Sequence, residues 1–228
     1  MEEVKQVRSI PPLVAEAPRR FAEQFAERMG DLGIAPGSRI ILYDDSAIRS
    51  SARAWFILDS YGEDNLAVLD GGLAKWRAEG RELSQRHVEN APRHRAELEP
   101  TREVRTKEEI RENLEAAQWQ VVDARDTARF EGKEGSGSEG HIPGARNVPF
   151  VRLLNDDGTY KDPNAIRTEF ERAGVDLERP VVTTCNSGMT AAVLLFGLEL
   201  TGKEDVELYD GSWMEWGSDP ELPKDSGE

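Results

Sequence analysis

Cysteine is all but absent from this sequence: its 228 residues contain one, Cys185. A single thiol excludes an intramolecular disulfide framework and is the usage of a reducing compartment. Histidine is almost as scarce, at positions 87, 94 and 141, and no zinc-ligand spacing can be drawn through those three. No apolar run approaches the roughly 20 residues that a membrane-spanning helix needs. Positive charge is in deficit, with 29 Lys and Arg against 44 Asp and Glu and a formal net charge of -15, and such a surface repels phosphate backbones. Neither nucleic acid nor a membrane is therefore an expected partner. The opening "MEEVKQVRSIPP" is charged and proline-broken rather than a basic segment followed by an apolar one, so it does not read as a targeting peptide. These absences predict a soluble, cytoplasmic, globular protein, long enough for one large domain or two of about 100 residues each.

What is present alternates. "RIILYD" (39–44), "LAVLD" (66–70), "WQVVDAR" (119–125), "PVVTT" (180–184) and "VELYD" (206–210) are short runs rich in branched or aromatic residues, the composition of buried parallel strands. Between them "RRFAEQFAERMGDLG", "SARAWFILDSYG", "TKEEIRENLEAA", "AIRTEFERAG" and "TAAVLLFGLELTG" carry helical periodicity, several closed by a glycine. Alternation of this kind predicts an α/β fold. Residues 81–104 are charged, poor in apolar side chains and broken by prolines, which places a domain linker there. The glycine- and serine-rich "EGKEGSGSEG" (131–140) reads as a mobile surface loop.

The chain also repeats itself. Residues 39–76 lie on residues 179–216 without a gap, and eight positions are identical, among them Gly62 with Gly202, Asp70 with Asp210, Gly71 with Gly211 and Trp76 with Trp216. Strand falls on strand and helix on helix. In that register Cys185 faces Asp45, so one copy carries a thiol where the other carries a carboxylate, the pattern of a duplicated enzyme with one working half.

The local chemistry of "CNSGMT" (185–190) supports that reading. A strand ending at Thr184 and a helix starting near Thr190 leave Asn186 to Met189 to wrap the cysteine side chain. Gly188 can take backbone angles closed to other residues, so successive N–H groups can converge on one point at a helix amino terminus. Such a point favours an anionic sulfur, whether thiolate or persulfide. The hydroxyls of Ser187 and Thr190 lie within the same loop, and Thr190 also occupies an ordinary helix N-cap position.

"VELYDGSWMEW" (206–216), "GHIPGARNVPF" (140–150) and "VVDARDTARF" (121–130) resemble the hallmarks of the two-domain rhodanese-type sulfurtransferases, which use 3-mercaptopyruvate or thiosulfate as donor. The resemblance implies two rhodanese-like domains, each a mostly parallel sheet flanked by helices. The first, residues 1–88, is truncated at its amino terminus and non-catalytic, residues 89–104 are the linker, and the catalytic domain is 105–228. It further implies that Cys185 carries sulfur as a persulfide with help from Ser187 and Thr190. Arg129, Asn186, Gly188 and Met189 then bind a small anionic donor, a thiol, cyanide or protein accepts the sulfur, and no cofactor or metal takes part. Arg125 reads as a structural ion-pair partner, Asp123 as a structural residue, His141 as a residue fixing loop geometry, and Trp213 and Trp216 as core or pocket wall.

The neutral Asn186 and Ser187 replace the arginine and lysine of thiosulfate-using relatives, which favours mercaptopyruvate. Two departures stand beside the match. The register that carries a second substrate arginine in mercaptopyruvate-using relatives holds Ser138, and the histidine and aspartate proposed to assist the loop serine have no counterparts. Two other function classes compete: a rhodanese-like binding module without activity, and a cysteine-loop phosphatase, which the absence of an arginine closing "CNSGMT" disfavours.

Overall fold

The computed structural model describes residues 18–84, 100–102 and 104–227. Most of the expected linker, residues 89–99 and 103, lies outside the described residues, as does the amino-terminal segment 1–17. None of the described helices is long and apolar enough to cross a membrane.

The first repeat begins with α1 (Pro18–Asp31), whose Phe25 and Met29 are buried one turn apart, Phe25 stacking on Tyr61 at 4.3 Å. Strands β1 (Ile40–Leu42) and β2 (Leu66–Val68) pair in parallel, as a strand-helix-strand crossover requires, and α2 (Ser50–Ser60) is that crossover. Helix α3 (Gly72–Ala78) follows β2 directly.

The second repeat opens with α4 (Lys107–Ala116). Its start is fixed by a capping box in which Thr106 accepts from the Glu109 amide while the Glu109 carboxylate accepts from Thr106. The sheet that follows has β4 (Arg146–Asn147), β3 (Gln120–Asp123), β5 (Val181–Thr184) and β6 (Val206–Leu208) side by side in that order, all parallel. All four residues of β5 are buried, which is why its sequence is continuously apolar or β-branched rather than alternating. Val122 and Val181 face one apolar cluster while Val121 and Val182 face another, so helices cover both faces. On the first face lie α6 (Pro163–Arg172) and α7 (Ala191–Leu200); on the second lie α4 and α8 (Ser212–Trp216).

Several elements were not expected from the sequence: β4, the short helix α5 (Thr127–Phe130), a 3-10 turn at Phe150–Leu153, and α8. All are too short to show a period. The reading of 131–140 as a free surface loop also needs correction at its far end. Ser138 Oγ accepts from Arg125, Gly140 O accepts from the same guanidinium, and a Cβ on Gly140 would meet the Asp225 carbonyl oxygen at 1.9 Å. That segment is tied down by a buried arginine that local composition does not reveal.

The repeat is visible in three dimensions. β2 and β6, and the starts of α3 and α8, are each related by the same 140-residue shift. One cluster joins both repeats, with Phe56 and Ile57 of α2 packed in the same core as Leu194, Leu195 and Leu198 of α7.

Candidate active site

Parallel pairing brings the carboxyl ends of β3 and β5 together: Asp123 lies opposite Thr184, and the Ala124 amide donates to Thr184 O. Cys185 is the next residue, at the end of a parallel strand and just ahead of α7, where open α/β sheets bind their ligands. It is 1% exposed. Asn186 at the outer side of the loop is exposed, and Ser187, Met189 and Thr190 are half-buried.

The turn is held from beneath by Ser212. Its hydroxyl accepts from the amides of Cys185 (3.2 Å) and Gly188 (3.1 Å) and donates to Tyr209 O (2.9 Å). Two further bonds clamp the loop from α8: Trp213 N donates to Cys185 O and Met214 N to Asn186 O, both at 3.0 Å. Gly188 has φ 76°, in the left-handed region, and a Cβ there would lie 2.2 Å from Asp210 Oδ1. Both the backbone angle and the space demand glycine. The amides of Asn186, Ser187, Met189 and Thr190 have no acceptor among the described residues, so the loop offers N–H groups at the amino end of α7 to an anion.

Ser212 was missed in the sequence, and the repeat contained the signal. Its counterpart Gly72 has φ 60°, and a Cβ on Gly72 would meet Asp44 O at 2.5 Å. At Ser212 the same left-handed angle (φ 54°) is kept by a residue with a side chain. A non-glycine residue held there marks a position where the side chain repays the strain. Asp210 and Arg53 were missed as well. Arg53 Nη2 donates to Asp210 Oδ2 at 3.1 Å, and Nη1 lies 2.6 Å from Oδ1 but out of line for a hydrogen bond.

Thr190 stands at the N-cap of α7, but its side chain makes no capping bond and its backbone is already helical, which corrects the expectation of an ordinary N-cap. Neither its hydroxyl nor that of Ser187 has a hydrogen-bond partner among the described residues. Arg129 projects from α5, on the same rim of the sheet as the Cys185 loop, with about half of its side chain exposed and Asp126 3.5 Å away. Among the described residues no hydrogen bond or ion pair joins it to the loop.

Asp123 and Arg125 form a buried forked pair, with Arg125 Nε and Nη2 donating to the carboxylate at 2.7–3.1 Å. Burial pushes the Asp123 carboxyl up, and the guanidinium pulls the other way. Arg125 also lies 4.6 Å over the Trp213 ring and so braces the wall of the loop. His141 stacks on Phe130 at 3.7 Å and its Nδ1 donates to Phe130 O at 2.7 Å, which fixes a loop rather than offering a base to the sulfur. Trp216 is fully buried, and Asp45, the counterpart of Cys185, is exposed and paired with Arg77 at 2.6 Å.

The sequence matches the rhodanese-like domain over residues 7–79 and 106–219. It is 42% identical to human 3-mercaptopyruvate sulfurtransferase over 202 residues, covering 86% of this chain and 68% of that protein. It is also 35% identical to bovine thiosulfate sulfurtransferase over 200 residues, covering 84% and 67% respectively. Among solved structures it superposes on the 3-mercaptopyruvate sulfurtransferase SseA of Escherichia coli with a TM-score of 0.75 at 33% identity, covering 84% of this chain and 73% of the other. With two matched regions, two parallel sheets and a cysteine loop at the end of a central strand, this chain belongs to the rhodanese-like family.

Proposed function

We propose that this protein is a sulfurtransferase in which Cys185 carries sulfur from a small anionic donor, with 3-mercaptopyruvate preferred over thiosulfate, to a thiol, cyanide or protein acceptor. The observation that carries the reading is the placement of the only cysteine. It sits at the carboxyl end of a central parallel strand, in a turn whose unengaged amides gather at the amino end of α7.

The Cys185 thiolate attacks the sulfur of the donor; the sulfur–carbon bond breaks and pyruvate departs as its enolate, which takes up a proton. The outer sulfur remains on Cys185 as a persulfide, and the free loop amides stabilise its charge. Attack by the acceptor thiolate on that outer sulfur returns Cys185 to its starting state. Ser187 and Thr190, whose hydroxyls have no hydrogen-bond partner among the described residues, donate in this reading to the donor or the persulfide. Arg129, half-exposed on the rim, supplies the cation for the donor carboxylate. Asn186, Gly188 and Met189 shape the loop around it. The loop adds no cation of its own at Asn186 and Ser187, which suits a monoanionic donor better than the thiosulfate dianion.

Steady-state transfer with both donors, followed by intact mass, tests the proposal. A donor-dependent mass increment of one sulfur is expected, with the higher kcat/KM for mercaptopyruvate, and Cys185→Ser should abolish both turnover and increment. Persisting transfer in that variant would sink the mechanism; a parent that prefers thiosulfate would sink the donor assignment alone.

A further inference from the structure

The floor of the cysteine turn is a carboxylate. Asp210 follows β6, is 2% exposed, and its Oδ1 sits so close under Gly188 that a Cβ there would lie 2.2 Å from it. A negative charge against a turn that must hold an anionic sulfur is an unfavourable arrangement in a dry site. It is countered by Arg53, 5% exposed on α2 of the first repeat, whose guanidinium faces both carboxylate oxygens and would itself come within 3.1 Å of a Cβ on Gly188. Phe56, one turn along α2, backs the guanidinium at 5.7 Å. The cation that neutralises the turn therefore comes from the half of the molecule that carries no thiol.

We propose that Arg53 is a positioning residue for sulfur transfer: it orients Asp210 beneath Gly188 and cancels its charge, so that the amide-lined turn keeps the shape and potential that a Cys185 persulfide needs. The first repeat then takes part through Arg53, and not through Asp45, whose carboxylate is held by Arg77 in solvent. This inference rests on the sulfurtransferase reading above. It explains why, among the described residues, the two repeats are joined by a buried ion pair at this one place, where an apolar contact would be no less stable.

The test uses Arg53→Lys, which keeps the charge but loses the fork, and the double variant Arg53→Met with Asp210→Asn, which removes both charges and keeps the shapes. Asp45→Ala is the control. Two readouts are needed: kcat and KM with mercaptopyruvate, and hydrogen exchange at the Cys185 and Gly188 amides, which Ser212 protects in the parent. Arg53→Lys is expected to lower kcat about tenfold with KM within threefold and to speed exchange at both amides. The double variant, which leaves no buried charge to cancel, should regain the parent's melting temperature and kcat to within about threefold, and Asp45→Ala should stay within threefold of the parent. Arg53→Lys with parental kcat and parental exchange overturns the proposal, as does a double variant that recovers stability while kcat stays lost. A parent without turnover defeats the sulfurtransferase reading instead, and exchange at the two amides then decides whether Arg53 holds the turn.

Discussion

Ser212 concentrates three demands on one residue: a left-handed backbone, a buried position, and a hydroxyl that accepts two loop amides while donating to Tyr209 O. Ser212→Ala keeps the strain and leaves two buried N–H groups without an acceptor, a loss of about 1–3 kcal/mol for such a group. Ser212→Gly orphans the same amides but relieves the backbone by about 1–2 kcal/mol. Stability by urea unfolding should therefore rank Ser above Gly above Ala, and kcat should fall in both variants because the turn loses its anchor. If Ala proves as stable as Gly, the left-handed angle at 212 is not strained. The position of Cys185 in a turn that needs glycine at 188 was legible from the sequence, because the motif and the chain repeat pointed to that loop. Ser212, Asp210 and Arg53 were not, because what matters in them is a backbone angle and a contact between residues far apart in the chain.

At the scale of elements, the segment between the 3-10 turn and α6 docks on the first repeat. The Tyr160 amide donates to Asp70 Oδ1 at 2.8 Å, and Lys75 lies 3.0 Å from Asp157. Asp70 and Asp210 are repeat partners, and each accepts a donor from the opposite repeat. Asp157 accepts from the Thr159 hydroxyl and amide and faces Lys75, and these together hold its carboxyl down at about 2 from an ordinary 3.8. A carboxyl depressed in the folded state stabilises the protein above its unfolded value, and that contribution fades as pH falls from about 4 toward 2. Asp157→Asn should thus lower the urea midpoint at pH 7, with the gap from the parent shrinking between pH 5 and pH 3. A gap that is constant with pH would mean that the aspartate acts through its shape alone. The helices α4, α6 and α7 were readable because each is ten residues long; β4, α5 and α8 were not, because two to five residues carry no period.

For the whole molecule, the shared cluster of α2 and α7 packs the two repeats on one core, which predicts that they unfold as one cooperative body. Trp55 of α2 meets Phe196 of α7 edge to face at 4.8 Å, and Phe56 is fully buried in the same core. Phe56→Ala should cost about 3–5 kcal/mol and shift a single transition, seen equally by tryptophan fluorescence and by circular dichroism. Two separated transitions would show that the halves unfold independently.

The sequence by itself determined the α/β class, the internal repeat and the cysteine loop, because hydrophobic period, turn residues and self-similarity are written along the chain. Only the tertiary structure decided that Ser212 holds the turn, that Thr190 does not cap its helix, that buried Arg125 ties down Ser138 and Gly140, and that Arg53 of one repeat pairs with Asp210 beneath the cysteine turn of the other. Each of those depends on a backbone angle or on contacts across the fold, and a linear pattern specifies neither until the core has brought the partners together.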